Sequence, residues 1–375
     1  MSANNKSSNI VRLGDYIQIY NKKNISALEL PFYGINKMKV FMPTVANTTG
    51  LDCSKYKLVE KNVFVFSGMQ TGRDVCIRLA LYERNDPIIV SPAYTTFVVK
   101  DPSILLPEYL FIQFNRFQMD RYGWFLSDGS VRSNLDWDVF CDIQIPLPDI
   151  DIQQKLVDTY NGLKALAEQN EALIQPLTEA CIAYIAGCKK KYPEVELGEY
   201  IEVCDERNIN SKNLPFCGIN KDKIFIPTHA NTNELDSSKY KIVSKDMFVF
   251  SGMQTGRDMC IRLALYDKND SVQVSPAYTT FIIKDNFKIL TQYFFIHFKR
   301  VEMDRYGWFL SDGSIRSNLD WGEFCRIKIP LAPIEVQQAI VNLYNCAEEA
   351  KNIATETREK MKALCPALVQ RALNS

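Results

Sequence analysis

Histidine is nearly missing from this chain: two residues in 375, His229 and His297. Eleven cysteines are present, but they are scattered singly and no CxxC occurs. That spacing excludes the usual zinc sites and a disulfide framework, and leaves reduced, mostly buried thiols as the expectation. No apolar run approaches membrane-spanning length, and the opening MSANNKSSNIVRLGDY offers no signal peptide. A cytoplasmic protein with no membrane partner is therefore expected. An excess of either charge is also absent. Forty-four Lys and Arg balance 44 Asp and Glu, whereas a free-standing duplex binder is usually visibly basic. GMQTGRD lacks the GK[ST] that cradles phosphates, and no FxGxG-like cofactor loop follows a strand. No metal site and no cofactor are expected.

What is present is a repetition. FVFSGMQTGRDVCIRLALY starts at Phe64 and returns as FVFSGMQTGRDMCIRLALY at Phe248, a shift of 184 positions. At that same shift LGDYI at Leu13 meets LGEYI, GINK at Gly34 meets GINK, and VSPAYTTF at Val90 meets identical letters at Val274. MDRYGWFLSDGS at Met119 recurs at Met303, followed each time by one aliphatic residue and RSNLDW. No gap is needed from Leu13 to at least Tyr160. Solenoid repeats run to about 20–50 residues, so these are two whole domains from one duplication. Because neither histidine is duplicated, no Ser/His/Asp or Cys/His nucleophilic set can be built twice.

KNVFVFS, VCIRLALY, PIIVS and TTFVV read as short strands bounded by turn residues. LPEYLFIQFNRFQMDRYGWF carries apolar residues at helical spacing and predicts one helix packed on the sheet. After each unit the texture changes. Leu156, Leu163, Asn170, Leu177 and Tyr184 lie seven apart, with Leu166, Leu173 and Ala180 three residues behind. The second copy has Ile340, Ala347, Ala354, Met361 and Leu368, flanked by Leu343, Ala350 and Leu364. Such heptads predict two long helices sharing a seam, with Pro176 kinking or ending the first. The expected fold is α+β. Two duplicated β-rich domains with packed helices are separated and joined by two long antiparallel coiled-coil-like helices, with pseudo-two-fold symmetry. The predicted boundaries are 1–150 and 191–334 for the globular domains, and 151–190 and 335–375 for the helices.

Two copies of one surface, facing opposite ways at a fixed distance, suit duplex DNA, whose antiparallel strands present inverted half-sites. SGMQTGRD supplies a glycine-framed loop with Gln70, Thr71 and Arg73, repeated as Gln254, Thr255 and Arg257. Gln can bond adenine bidentately, and Arg can bond guanine or grip phosphate. Asn36, Lys37, Arg78, Tyr94, Arg121 and Arg132 add donors, with counterparts Asn220, Lys221, Arg262, Tyr278, Arg305 and Arg316. For Arg73, pairing with Asp74 is the bland alternative; RLALY also reads as core strand. Residues 12–147 hold 15 basic against 14 acidic residues, so either the cations gather on one face or partners supply much of the phosphate grip. A pseudo-symmetric interaction scaffold that never touches DNA stays open as another reading.

SGMQTGRDVCIRLALYERNDPIIVSPAYTTF, GSVRSNLDWDVFCDIQIPLPDIDIQQK and the helix behind them resemble the specificity subunit of type I restriction-modification systems. The resemblance spans both copies. IPLPDIDIQQKLV and IPLAPIEVQQAIV are similar to the family's IPLPPLxEQ signature, with Gln153-Gln154 and Gln337-Gln338 in place of Glu-Gln. The resemblance implies a non-catalytic subunit that reads a bipartite double-stranded DNA target, each half by one target-recognition domain. It implies two methyltransferase subunits bound to the helices, an optional restriction and translocase subunit, and partner contacts at Gln153, Gln154, Gln337 and Gln338. Recognition for a related type II-like methyltransferase and nuclease is the neighbouring alternative. SPAY at Ser91 and Ser275 resembles the SPPY box of amino-methyltransferases, but a proline-containing strand edge explains it equally well.

Overall fold

The computed structural model describes residues 9–228 and 235–374, the last twelve of them by backbone alone. His229 lies outside the described residues. Contacts divide the chain into one unit of residues 1–169 with 353–375 and another of residues 170–352. The α+β class and the duplication hold: every strand pairing of the first unit has its counterpart 184 positions later.

In the first unit Ile17–Ile19, Thr95–Val99, Phe64–Ser67 and Arg78–Leu81 form an antiparallel sheet in that order. A second four-stranded sheet orders Phe41–Pro43, Phe32–Ile35, Ile88–Val90 and Lys57–Val59, the middle pair parallel. Alternation along Phe64–Ser67 feeds two cores. Phe64 and Phe66 face one cluster, and Val65 faces the other. The larger core is aromatic: Phe64 stacks on Phe97 at 4.8 Å and Phe66 on Phe140 at 4.4 Å. Each such fully buried ring contributes about 1.5–3 kcal/mol through area removed from water.

Where one helix was predicted there are two, α1 (Pro107–Phe114) and α2 (Phe117–Leu126). Arg116 breaks them with an extended backbone, φ −81° and ψ 134°. The break turns α2 so that Asp120 reaches inward. Its carboxylate takes the ammonium of buried Lys39 at 2.7 and 2.8 Å and the Ile77 amide at 3.0 Å. Gly123 completes the fit, since a Cβ there would lie 2.3 Å from Ile77 Cγ1. The second unit repeats this as α4 (Thr291–Phe298), α5 (Val301–Leu310) and the Lys223–Asp304 pair at 2.8 Å, after the intervening long helix α3 (Ile150–Lys191).

α3 runs through Pro176 without ending. Pro176 and Ala172 are both exposed, so the carbonyl that loses its partner faces water. The partner seam also differs from expectation. Leu166, Leu173 and Tyr184 are 42%, 51% and 61% exposed, while Ala167, Cys181, Ile185 and Cys188 are buried. The second stripe falls four residues behind the first instead of three, following the 3.6-residue period of a straight helix. In α6 (Ile334–Asn374) the expected Ile340, Ala347, Ala350, Ala354 and Met361 are buried; Leu364 and Leu368 fall where side chains are not described. Each unit holds one half of each helix: 150–169 with 353–374, and 170–191 with 334–352. In the second unit these halves share a core containing Cys181, Ile185, Ile340 and Val341.

Gln153 was expected at a partner surface and is instead fully buried. Its Oε1 accepts from the Leu106 amide at 2.9 Å, capping α1, and its Nε2 donates to the Ile104 and Pro148 carbonyls at 2.8 Å. Gln337 does the same with Leu290, Lys288 and Ala332. With every amide group used inside the unit, neither residue has anything left for a partner. Gln154 and Gln338 remain exposed.

Two outcomes follow for stability. Asp120→Asn leaves Lys39 buried without its counter-charge and should destabilise the first unit by about 3–5 kcal/mol. Lys39→Met with Asp120→Leu should recover most of that, read by hydrogen exchange of the Phe64–Ser67 amides. The second outcome uses a buried contrast between the copies that titrates, Gln113 against His297. Burial holds the His297 imidazole down to about 3, below its unfolded value of about 6.5. The unfolded chain therefore binds a proton that the folded unit refuses. Stability is fully present above pH 6.5 and falls as pH drops toward 3, by roughly 1 kcal/mol per pH unit. Hydrogen exchange between pH 7 and 5 should show the second unit loosening relative to the first, and His297→Gln should remove the difference.

Candidate nucleic-acid interface

Strand Phe64–Ser67 ends in Gly68, whose backbone runs against another loop so closely that a Cβ would sit 1.9 Å from the Leu135 carbonyl oxygen. The Leu135 amide donates to the Gly68 carbonyl at 2.8 Å. Gln70 takes the left-handed region at φ 62°, and its amide donates to Asn134 Oδ1 at 3.1 Å. A single helical turn, Thr71–Asp74, follows. Within it the Gly72 amide donates to the Ser133 carbonyl at 2.9 Å, and a Cβ on Gly72 would fall 1.9 Å from Ser133 Oγ. Val75 closes the turn at φ 50°. A β-branched residue there is strained by about 1–3 kcal/mol.

The opposing loop, residues 128–134, is tied by its own side chain. Asp128 Oδ1 accepts from the Ser130 amide at 3.0 Å, the Ser130 hydroxyl at 2.6 Å and the Asn134 amide at 3.1 Å. These bonds, the Ser130 hydroxyl first, hold the Asp128 carboxyl below its ordinary value. The two loops form one rigid ledge.

On that ledge Gln70 Oε1 accepts from Arg73 Nη2 at 2.7 Å, while Asp74 takes Arg73 Nε at 3.2 Å and pairs with Arg78. Desolvation pushes the Asp74 carboxyl up, but the Arg78 and Arg73 bonds outweigh it and leave its pKa lowered. Arg73 thus has the carboxylate partner that its neighbour suggested, yet its side chain is 58% exposed. The second ledge matches: Arg257 Nη2 meets Gln254 Oε1 at 2.6 Å, Asp258 holds Arg257 and Arg262, and Arg257 is 59% exposed.

The sequence-predicted residues fall into three groups. Gln70, Arg73, Arg78 and Arg132 come together on the ledge, as do Gln254, Arg257, Arg262 and Arg316. Asn36 and Lys37 sit on a turn pinned to the residues behind it, with Cys76 Sγ on the Lys37 carbonyl at 3.1 Å and Asn36 Oδ1 accepting the Met38 amide. Asn220 and Lys221 lie likewise, with Cys260 Sγ on the Lys221 carbonyl at 3.3 Å. Tyr94 and Tyr278 are half-buried, their hydroxyls against Gly34 and Gly218 in the strands leading into those turns. Arg121 and Arg305 are exposed on α2 and α5. Thr71 and Thr255 do not belong in the set. Both are fully buried and spend their hydroxyls on the Gly68 and Gly252 carbonyls at 3.0 Å.

Lys37, Arg121 and Arg132 have no ion-pair partner among the described residues. The near-neutral composition therefore still leaves free cations around the ledge. Unanticipated were Ser133 and Asn134, which hold the ledge together, and an exposed ridge of Tyr122, Trp124 and Phe125 on α2 at 42%, 54% and 80%. The letter-for-letter recurrence of GSxRSNLDW was the available signal for the first pair. Among the described residues no helix is long and apolar enough to cross a membrane.

Residues 5–179 match the family model of the type I restriction modification DNA specificity domain. The type I restriction-modification S subunit of M. genitalium has a similar structure, with a TM-score of 0.63 at 14% identity over 100% of this chain and 98% of that one. The HsdS subunit from Thermoanaerobacter tengcongensis aligns at a TM-score of 0.43 and 14% identity, over 99% of this chain and 97% of that one. No curated protein matches the sequence. Residues 5–179 thus fall in the type I restriction modification DNA specificity domain family, and the second copy repeats the first at a constant offset of 184 residues.

Proposed function

We propose that each unit reads one short word of a bipartite duplex target through its ledge, and that the two words are the same or nearly so. As a member of its family the chain is a DNA sequence-recognition subunit. The observation that carries the finer reading is the recurrence, unit by unit, of an immobilised loop pair presenting Gln70, Arg73 and Arg132, or Gln254, Arg257 and Arg316, in the same bonding pattern. Gln and Arg on a rigid backbone supply the bidentate donor sets that distinguish bases in the major groove. Lys37, Arg121, Tyr94 and their counterparts supply backbone contacts that set register.

The chain itself performs no chemistry in this reading. Methyltransferase subunits, two by the duplication, bind along the helices, with exposed Gln154 and Gln338 in place of the buried pair, and a restriction and translocase subunit joins optionally. The target-recognition domains occupy residues 1–150 and 191–334, with spacer helices 151–190 and 335–375, in the cytoplasm. A DNA-free scaffold has no use for cationic ledges repeated without alteration.

Selection from random duplexes with the full chain should return two inverted copies of one word about an unread gap. Arg73→Ala should lower affinity by about 1–3 kcal/mol and relax one position of one half-site if it contacts a base, or weaken all sequences alike if it contacts phosphate. Arg257→Ala should act on the other half. Unchanged affinity and specificity in both would make these arginines structural. A second outcome concerns residues 1–191. By the constant offset, α6 beyond residue 353 stands in the first unit where α3 beyond residue 170 stands in the second. The fragment should therefore dimerise, each copy lending its helix to the other. Sedimentation finding a monomer would contradict this.

A further inference from the structure

The exposed tip of each ledge is aliphatic. Val131 and Ile315 are both 100% exposed, between the serine that the ledge aspartate binds and an arginine without an ion-pair partner among the described residues. Single exposed aliphatic residues are ordinary on protein surfaces, but these differ in three respects. The loop under them is immobilised by the Asp128 and Asp312 bonds and by the backbone clip to Gly68 and Gly72, or Gly252 and Gly256. Both residues are β-branched, so their side chains keep few rotamers and need little further ordering on contact. Within the nineteen residues from Met119 to Trp137 the copies differ only here, and by one methylene. Folding explains none of this, because neither side chain touches the core.

We propose that Val131 and Ile315 are the apolar readers of the two units, each packing on the 5-methyl group of a thymine in its half-site. The proposal rests on the reading of the ledge as a DNA-recognition surface. A base edge in the major groove presents donors and acceptors throughout, and its only apolar group is that methyl. A rigid aliphatic tip set among Gln, Arg and Ser has no other complement there. The neighbouring Arg132 and Arg316 are left to grip phosphate or an adjacent guanine. Each half-site word then contains at least one thymine whose methyl is read.

The test uses the full chain and the duplex selected from a random pool. Each thymine is replaced in turn by uracil, which removes only the methyl. One thymine per half-site should then lose affinity about three- to fourfold, the worth of one buried methyl group. Val131→Ala should show the same loss on the thymine duplex and no further loss on the uracil duplex of its own half-site. Ile315→Ala should behave likewise for the other half. Full exposure of both residues makes misfolding an unsuitable explanation, and an unchanged circular-dichroism melt would document it. If no duplex is enriched at all, the DNA reading of the ledge fails with everything built on it. If a target is enriched but its words lack thymine, or uracil is accepted everywhere without loss, only the methyl contact is overturned. A loss on Val131→Ala that is equal on thymine and uracil duplexes also overturns it, and would place the side chain as a wedge between base pairs instead.

Discussion

Everything that presents a side chain to the outside depends on two glycine backbones pressed against a neighbouring loop. Gly68 and Gly72 approach Leu135 and Ser133 more closely than any side chain would allow, and three hydrogen bonds cross the seam. A methyl group at Gly68 would meet the Leu135 backbone, and one at Gly72 would lie 2.7 Å from Ser133 Cβ, so no rotamer change could relieve either clash. Gln70 and Arg73 on one side, and Val131 and Arg132 on the other, thus stand on a single platform. Rigidity of this kind lowers the ordering cost at binding and lets weak directional contacts discriminate.

The platform is itself anchored from below by polar groups buried where an apolar core would ordinarily serve. Lys39 and Asp120 tie α2 to the turn carrying Asn36 and Lys37 and to the strand end at Ile77. Gln153 binds the start of α3 to the start of α1. Such pairs add little net stability compared with a hydrophobic replacement, since desolvation offsets much of their attraction. They do specify geometry, because a charge or amide in the interior tolerates only the arrangement that satisfies it. Both devices recur unchanged in the second unit, as expected if the two platforms must match in shape.

Much of the architecture was legible in the letters. The strands were bounded by turn residues and rich in β-branched and aromatic types, and the duplication supplied an internal check at every position. The helix break at Arg116 was not legible, since the apolar residues on both sides keep helical spacing and the turn is decided by the Lys39–Asp120 pair from a distance. The seam of α3 was displaced by a residue because small side chains, Ala167 and Cys181, fill the positions that leucine spacing had assigned to Leu166 and Ala180. Gln153 looked like a partner contact because its surroundings match a family signature, while two of its three internal bonds join segments nearly fifty residues apart. At the ledge, residue type alone could not tell exposed Arg73 and half-buried Gln70 from the sealed Thr71 between them.

Val75 and its counterpart Met259 are the one mismatch in the nineteen-residue repeat that opens each loop, and both hold a left-handed backbone, at φ 50° and 48°. No side chain is comfortable in that conformation, so neither identity is an optimum. The backbone, by contrast, is fixed by the turn on either side. Drift in the duplicated stretch has thus settled at a position where the fold dictates the shape of the backbone, while the letters around it have stayed paired.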